Sequence, residues 1–206
     1  MKTVLVCWLA LAACVLAADN VAGHYVLRGV REVGSELLLK PDGSFEYMLA
    51  YGAADYEAKG TWKRDHDFVV LNTTGKEAPP FRLLRSTASK ALGIQVGVEG
   101  TTGLPAANIK VVLRTATGAS EQSTNGHGAA IFPEARSPRS VILRVPVYSV
   151  VWGPFELNPE HNDFHFEING EAIMRVRFKD ERLKIEGKSL DLRFWDKDKA
   201  MLYERQ

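Results

Sequence analysis

The stretch that decides the fold class is residues 37–51, which read LLLKPDGSFEYMLAY. Pro41 presets the backbone for the first corner of a turn, and Gly43 accepts the left-handed position that closes it. After the turn, apolar side chains occupy every second position and share one face of an extended segment: Phe45, Tyr47, Leu49 and Tyr51. The stretch therefore predicts two antiparallel strands joined by a tight hairpin.

The same alternation continues along most of the chain. Apolar side chains alternate with polar or small ones in residues 94–99, 109–113, 164–168 and 189–194. No stretch keeps apolar residues at the i, i+3, i+4, i+7 positions of a helix for more than about two turns. We therefore predict an all-β protein of short antiparallel strands, arranged as a barrel, a sandwich or both.

The chain opens with the features of a secretory signal peptide over residues 1–17. Lys2 gives one positive charge, an apolar run follows, and small residues end the run before the first acid, Asp19. The run is shorter than the roughly 20 apolar residues that a membrane-spanning helix needs. No later segment is apolar enough to span a bilayer. We expect an exported protein, periplasmic or secreted, with no transmembrane segment.

Two processing events fit the end of this leader. Residues 15–17 suit a standard signal peptidase and would give a mature chain that starts at Ala18. Residues 11–14 read LAAC and also resemble the lipobox of bacterial lipoproteins, in which Cys14 would carry the lipid. The protein would then be lipid-anchored to the envelope, and only in that case do we expect contact with the membrane.

Cysteine usage and charge exclude several classes of protein. Both cysteines, Cys7 and Cys14, lie in the leader, so a mature chain starting at Ala18 can form no disulfide, thiolate zinc site or cysteine nucleophile. The whole chain carries 26 basic and 25 acidic residues, with the two signs interspersed. Because a nucleic-acid binder normally presents a basic face, we expect no nucleic-acid partner.

The first domain, predicted over residues 18–90, is a meander of five or six strands whose last strand lies near residues 81–84. Gly23-His24-Tyr25 opens it, the Leu-rich strand and the Asp-Gly turn follow, and Gly60-Thr61-Trp62 begins a later strand. This order resembles the small lipocalin-like (calycin-type) barrel domains. The resemblance implies a barrel, complete or partial, whose aromatic residues either fill the interior or line a cavity for a small apolar ligand: Phe45, Tyr47, Tyr51 and Trp62.

The second domain, predicted over residues 91–170, carries a more specific pattern. A Gly-x-Pro turn at residues 103–105 leads into the strand at 109–113, and residues 124–132 read TNGHGAAIF. This pair of motifs resembles the carboxypeptidase-regulatory (prealbumin-like, or transthyretin-like) β-sandwich. The resemblance implies a non-catalytic sandwich that accompanies other domains, in which Gly128 lets the backbone turn and two side chains fill the interior: Ala130 and Phe132.

The tail, residues 171–206, resembles the first domain in its order of strands, turns and loops. Its elements follow the same order as those of residues 62–85: a strand, a reversal at 186–188, a second strand, a polar loop and a strand ending in Arg205. Two arrangements remain open. Either the tail completes the sheet of the first domain with the sandwich inserted between them, or three consecutive hairpins form one continuous sandwich. Insertions are tolerated because the termini of a domain often lie close together.

A row of possible metal ligands occupies alternate positions over residues 161–167. The candidates are His161, His165 and Glu167, together with Asp163. In a strand, side chains four residues apart stand about 13 Å apart, which is too far for His161 and His165 to share one ion. We therefore interpret the row as the solvent face of a half-buried strand, and we expect no metal and no cofactor.

Motifs of common catalytic sites are missing from the sequence. There is no Gly-x-Ser-x-Gly elbow, phosphate-binding loop, His-Glu-x-x-His zinc motif or calcium loop. His66, between Asp65 and Asp67, is typical of a hairpin tip rather than of an acid–base cluster. Because catalytic carboxylates can lie far apart in sequence, a metal- or carboxylate-dependent hydrolase stays as an alternative.

Residues 145–155 are unusually apolar and contain two prolines, which interrupt strand pairing. In this stretch, Trp152 and Phe155 either pack into the sandwich core or an inter-domain seam, or form an exposed patch for a partner or a carbohydrate. We predict an exported, non-catalytic interaction or scaffolding module of the cell envelope, with a protein or envelope partner that the sequence does not identify. The alternatives are a carrier of a small apolar ligand and the hydrolase named above.

Overall fold

The computed structural model describes residues 21–206 and shows an all-β protein, which confirms the predicted fold class. Residues 1–20 lie outside the described part, and with them the expected leader, both processing events and Cys14. Within the described part, no helix has the length and apolar character needed to cross a membrane. Both cysteines of the sequence precede residue 21, so the described chain holds no disulfide.

Sixteen strands and one short helix follow one another along the described chain. The strands are β1 (Gly23–Leu27), β2 (Val33–Leu39), β3 (Ser44–Tyr51), β4 (Ala54–Asp65), β5 (Phe68–Thr73), β6 (Phe81–Thr87), β7 (Ile94–Gly100), β8 (Lys110–Thr115), β9 (Ala119–Ser123), β10 (Ala129–Phe132), β11 (Pro138–Val145), β12 (Val150–Glu156), β13 (Asp163–Ile168), β14 (Glu181–Glu186), β15 (Ser189–Leu192) and β16 (Met201–Arg205). A 3₁₀ turn at Pro146–Tyr148 separates β11 from β12, and the helix α1 (Gly170–Met174) follows β13. The strands form two units, an eight-stranded barrel and a sandwich of two four-stranded sheets.

The barrel is built from strands near both ends of the described chain. Its closed order is β1-β2-β3-β4-β5-β14-β15-β16, and each strand pairs antiparallel with both of its neighbours. An eight-stranded barrel is just wide enough for side chains to fill its interior. The barrel core accordingly consists of almost fully buried residues, including Leu37, Phe45, Leu71, Leu183 and Tyr203.

The predicted hairpin at residues 40–44 joins β2 to β3. Leu39 faces Phe45 in the register of the two strands. Gly43 adopts a φ of +83°, and its carbonyl accepts a hydrogen bond from the Trp62 backbone N–H over 2.8 Å. The turn is therefore held both by its own conformation and by the next strand, and the sequence prediction for this hairpin is confirmed.

The tail strands close the barrel. β14 pairs with β5, so that Glu181 faces Leu71, and β16 pairs with β1, so that Arg205 faces Tyr25. Of the two arrangements that the sequence left open, the structure has the one in which the tail joins the sheet of the first domain. The segment 74–180 is inserted between β5 and β14.

The structure corrects the place of the strand that we predicted near residues 81–84. That strand is β6, and it pairs with β13 in a sheet of the sandwich instead of extending the first meander. Pro79 and Pro80 come directly before it. Because proline has no backbone N–H to donate, these two residues interrupt strand pairing after β5 and let the chain leave the barrel.

The inserted sandwich packs its two sheets around a second core. Their strand orders are β10-β7-β13-β6 and β12-β11-β8-β9, and β13 runs parallel to β7. The core includes Phe166 of β13 and both Ala130 and Phe132 of β10. Gly128 precedes β10 with a φ of +73°, and a Cβ atom there would overlap the Val98 carbonyl oxygen. The backbone at this turn therefore requires glycine.

The two connections between the units run side by side. The outgoing connection is residues 74–80, and the returning one is residues 169–180. Asn72 and Asp180 form two hydrogen bonds. The Asn72 side-chain amide donates to the Asp180 carboxylate over 3.1 Å, and the Asp180 backbone N–H donates to the Asn72 side-chain oxygen over 2.9 Å. The Arg177 guanidinium donates to two carbonyls of the outgoing connection. Both ends of the insertion are therefore fastened to each other where they leave the barrel.

A substitution at Gly60 in β4 tests how tightly the barrel wall is packed. A Cβ atom there would overlap the Asn72 carbonyl oxygen and lie 2.8 Å from the Phe45 ring. We expect Gly60→Ala to lower the free energy of unfolding by about 2 to 3 kcal/mol, because the neighbouring strand must move. Gly34→Ala in β2 should change it by less than about 0.5 kcal/mol, since nothing lies within 4 Å of the added atom. Urea unfolding measures both, and equal effects would contradict this packing.

Candidate functional site

One end of the barrel opens into an apolar pocket of about 250 Å³, which we call the mouth pocket. It lies where β2, β4 and β16 begin and β3 ends, beside the loops at residues 28–32 and 193–200. The residues that line it are Val30, Val33, Leu49, Tyr51, Tyr56, Trp195, Asp196, Lys199 and Met201. Beneath the pocket, the barrel is filled by its own buried side chains.

Strand register explains why these side chains meet. Val33 faces Tyr51 across β2 and β3, and Leu49 faces Tyr56 across β3 and β4. Residues that face each other on neighbouring strands project from the same side of the sheet. Inward-pointing residues near these strand ends therefore converge on one opening.

The loop at residues 193–200 covers one side of the mouth pocket with aromatic rings. Trp195 packs against Tyr56 with 4.9 Å between the ring centroids, and Phe194 packs against Phe178 at the same separation. The Trp195 indole N–H donates to the Tyr47 hydroxyl over 2.8 Å. Ring contacts and a hydrogen bond therefore fix the loop over the barrel interior.

An ion pair anchors the start of this loop. The Arg193 guanidinium donates two hydrogen bonds, of 2.9 and 3.0 Å, to one oxygen of the buried Asp191 carboxylate. Further along, the Asp196 carboxylate accepts from the Asp198 backbone N–H over 3.0 Å. Charge-assisted hydrogen bonds to a buried carboxylate are costly to break. The loop is therefore attached firmly beside the pocket that it covers.

Buried hydroxyl groups lie beneath Trp195. Ser35 Oγ donates to the Met48 carbonyl over 2.6 Å and lies 2.7 Å from the Tyr203 hydroxyl. The Tyr203 hydroxyl lies 3.4 Å from that of Tyr47. Burial raises the pKa of Tyr203 far above the ordinary tyrosine value of 10.0, and it also raises the pKa of Tyr47. The cause is the cost of a phenolate in an apolar interior, so both hydroxyls are uncharged at neutral pH.

The lining of the mouth pocket is mostly apolar. Among the lining residues, Asp196 and Lys199 alone are charged, and none is a histidine, serine, cysteine or glutamate. Apolar walls favour entry of an apolar group because apolar surface on both sides leaves water. The rings of Tyr51, Tyr56 and Trp195 add faces and edges against which such a group can pack.

Of the aromatic residues predicted for a barrel cavity, Tyr51 lines the mouth pocket. Phe45 and Tyr47 are buried in the core instead. Trp62 is partly buried and packs against the core. Its indole N–H donates to a backbone carbonyl in the hairpin over 2.9 Å. Tyr56 and Trp62 are about 20 Å apart along β4, given the rise of a strand. Trp62 therefore lies toward the opposite end of the barrel from the mouth pocket.

The candidate metal ligands His161, His165 and Glu167 are held apart by other partners. Arg82 donates two hydrogen bonds to the Glu167 carboxylate, of 2.7 and 3.0 Å. His165 Nε2 lies 3.2 Å from an Asp163 carboxylate oxygen, and His161 precedes the strand. Among residues 21–206, no group of three or more His, Cys, Asp or Glu side chains is placed to hold a metal ion.

Sequence reasoning missed a contact between a serine and a histidine. Ser86 Oγ lies 2.7 Å from His161 Nδ1, and the Asn158 side-chain nitrogen lies 3.3 Å from His161 Nε2. A hydrogen-bonded Ser–His pair is one part of a nucleophilic site. Such a site also needs oxyanion donors and a substrate cleft aligned on the serine, and the pair supplies neither by itself. The contact ties the loop before β13 to β6.

The structure separates the two residues of the predicted contact patch by their exposure. Phe155 is half-buried and packs against Phe166 with 5.0 Å between the ring centroids. Trp152 remains 39% exposed and borders a groove that the two connections form, with Pro79 and Pro80 in its lining. Phe155 therefore belongs to the sandwich core, whereas Trp152 is available for contact.

The sequence analysis singled out neither Tyr56, which lines the pocket, nor the two adjacent aromatic residues of the covering loop, Phe194 and Trp195. Alternation over residues 189–194 predicts a strand that includes Phe194, but β15 ends at Leu192. The available signal was a pair of adjacent aromatic residues directly before the polar stretch 196–199. Aromatic residues in a polar loop are candidates for binding because they have no core of their own to fill.

No protein-family model, curated protein or solved structure matches this chain. The lipocalin-like and prealbumin-like resemblances therefore stay predictions, and the function has to be inferred from the residues and the geometry.

The buried tyrosines predict a loss of stability at alkaline pH. The unfolded chain releases their protons near pH 10, whereas the folded chain, in which their pKa values are raised, keeps them. Stability from this source is complete well below pH 10, and it falls as the pH rises through 10 and beyond. We expect urea unfolding midpoints to decrease from about pH 9 to about pH 11, and less steeply in Tyr203→Phe. Tyr51→Phe, which removes an exposed hydroxyl, should keep the slope of the parent; an unchanged slope in Tyr203→Phe would contradict the assignment.

Proposed function

We propose that this chain is an exported, non-catalytic binding protein whose mouth pocket holds a compact apolar ligand. The observation that carries the proposal is the opening at one end of a closed barrel, walled by Val33, Leu49, Tyr51, Tyr56 and Met201. Ligand sites are commonly concave, mostly apolar and largely preformed, and the mouths of β-barrels are a preferred place for them.

The size of the pocket limits the ligand. Pockets for drug-sized molecules span about 300–1,000 Å³, so a volume of about 250 Å³ suits a small ring or a short aliphatic chain. The core beneath, with Leu37 and Leu71 completely buried, leaves the ligand at the mouth of the barrel rather than along its axis. Affinity should be modest, because a small ligand buries little surface.

A series of linear alcohols tests this proposal. Affinity should rise about fourfold for each added methylene from butanol through hexanol to octanol, and then stop rising when the pocket is full. Calorimetry measures the affinities. Octanol should also quench tryptophan fluorescence in the parent, and the loss of this quenching in Trp195→Phe would place the alcohol beside Trp195.

Matched variants locate the site. Val33→Phe fills the mouth pocket and should weaken octanol binding at least tenfold, because the added ring takes the place of the ligand. Met48→Phe on β3, which points outward and is exposed, makes a comparable change outside the pocket and should leave the affinity unchanged. If both variants bind octanol as the parent does, the mouth pocket is not the binding site.

A second candidate function is contact with a protein partner through the segment 147–152. Its support is the exposure of large apolar side chains: Val147 is 53% exposed, Val151 is 58% exposed and Trp152 is 39% exposed. Neighbouring exposed apolar residues on a soluble surface mark sites of interaction. This second candidate corresponds to the interaction module of the envelope that we predicted from the sequence.

Crosslinking in an extract of the source organism tests the second candidate. A defined adduct of the parent should be lost in Val151→Asp, because a charge in an apolar contact must be desolvated without a partner. Ile131→Asp on β10, an equally exposed apolar position at another edge of the sandwich, is the matched control and should keep the adduct. Loss of the adduct in both variants would point to a general effect of added charge and would count against the segment.

A further inference from the structure

The wall of the mouth pocket continues into the inserted sandwich. Tyr56, on β4 of the barrel, packs against Trp195 on one side with 4.9 Å between centroids and a tilt of 59°. It also packs edge-to-face against Tyr148 of the sandwich, at 5.6 Å and 79°. The Tyr56 ring, which lines the pocket, therefore has one neighbour from each unit.

Tyr148 is held where it makes this contact. It is the last residue of the 3₁₀ turn between β11 and β12, and Ser149 closes the turn in a left-handed conformation with its backbone N–H bonded to the Pro146 carbonyl over 3.0 Å. The Tyr148 hydroxyl accepts from the Asp55 backbone N–H over 3.4 Å. The sandwich thus reaches the barrel at residues 55 and 56, next to Glu57, whose carbonyl accepts from the Val176 backbone N–H of the returning connection over 2.7 Å.

We infer that Tyr148 is a positioning residue for the mouth pocket, which the inserted sandwich completes by holding the Tyr56 ring against Trp195. The inference rests on the proposed ligand function. An aromatic ring on a strand has a broad choice of orientations about its second side-chain torsion, and an edge-to-face neighbour restricts that choice. Without Tyr148, Tyr56 has ring contact from the Trp195 side alone, and the wall loses its fixed shape.

Binding of octanol tests this role. Tyr148→Ala should weaken binding about three- to tenfold, because the freed Tyr56 ring must be ordered again when the ligand enters. Tyr148→Phe keeps the ring and should bind within about twofold of the parent. Val147→Ala, an exposed neighbour in the same turn, is the control and should bind as the parent does.

A double-mutant cycle separates positioning from direct contact. If Tyr148 acts through Tyr56, then Tyr148→Ala should have no further effect on octanol affinity in a Tyr56→Ala background. The fluorescence assigned to Trp195 should also shift to longer wavelength in Tyr148→Ala without ligand, and not in Tyr148→Phe. Urea unfolding of each variant shows whether the barrel is still folded, and Tyr148→Leu repeats the test with a side chain that keeps apolar bulk without a ring.

The outcomes distinguish the two proposals. If the parent chain binds no octanol, or if Val33→Phe binds it unchanged, the ligand function fails and the role of Tyr148 fails with it. If Val33→Phe loses binding but folded Tyr148→Ala and Tyr148→Leu bind like the parent, the positioning role alone is overturned. An undiminished effect of Tyr148→Ala in the Tyr56→Ala background would also overturn it.

Discussion

Closure of the barrel depends on the pairing of β5 with β14. Leu71 faces Glu181 across this pair, although the whole sandwich lies between them in the chain. The pairing brings Leu183, Leu192 and Tyr203 into the same interior as Leu37 and Phe45. It also brings the loop at 193–200 over the end of β4, where Trp195 meets Tyr56. The mouth pocket therefore exists because two distant parts of the chain share one wall.

Local sequence patterns predicted many of the strands, because strands such as β2 and β3 bury every second side chain. The hairpin at residues 40–44 followed from Pro41 and Gly43, whose conformational preferences act within a few residues. Pairing partners leave no such record. The strand β6 buries Phe81 and exposes most of its other side chains, so it carries no alternation that assigns it to a unit. Its place beside β13 depends on contacts across more than half of the inserted segment.

The candidate site was less predictable than the fold. Tyr51 was named because it continues the inward face of β3, and it does line the mouth pocket. Trp195 was missed because a loop has no period from which the direction of a side chain can be read. For Phe45 and Trp62 the sequence left two alternatives, filling the interior or lining a cavity, and Phe45 fills the interior. The register of β3 and β4 decides which aromatic residues face the opening. Register therefore decides which strand residues reach the mouth pocket, and the buried Tyr47 hydroxyl holds Trp195 in place beside them.

Insertion of one unit into the other has a consequence for how the chain becomes folded. As the chain is made from its N-terminus, β1 to β5 are complete while β14 to β16 do not yet exist, and the sandwich is synthesised in the interval. During that time the unfinished sheet exposes an unpaired edge at β1 and another at β5, which are templates for pairing with other chains. Once residue 180 has been made, the hydrogen bonds between Asn72 and Asp180 hold the start of β14 beside β5, where the pairing of the two strands covers that edge. In this protein the inserted unit separates the two parts of the barrel in the chain, and its connections hold those parts side by side in the fold.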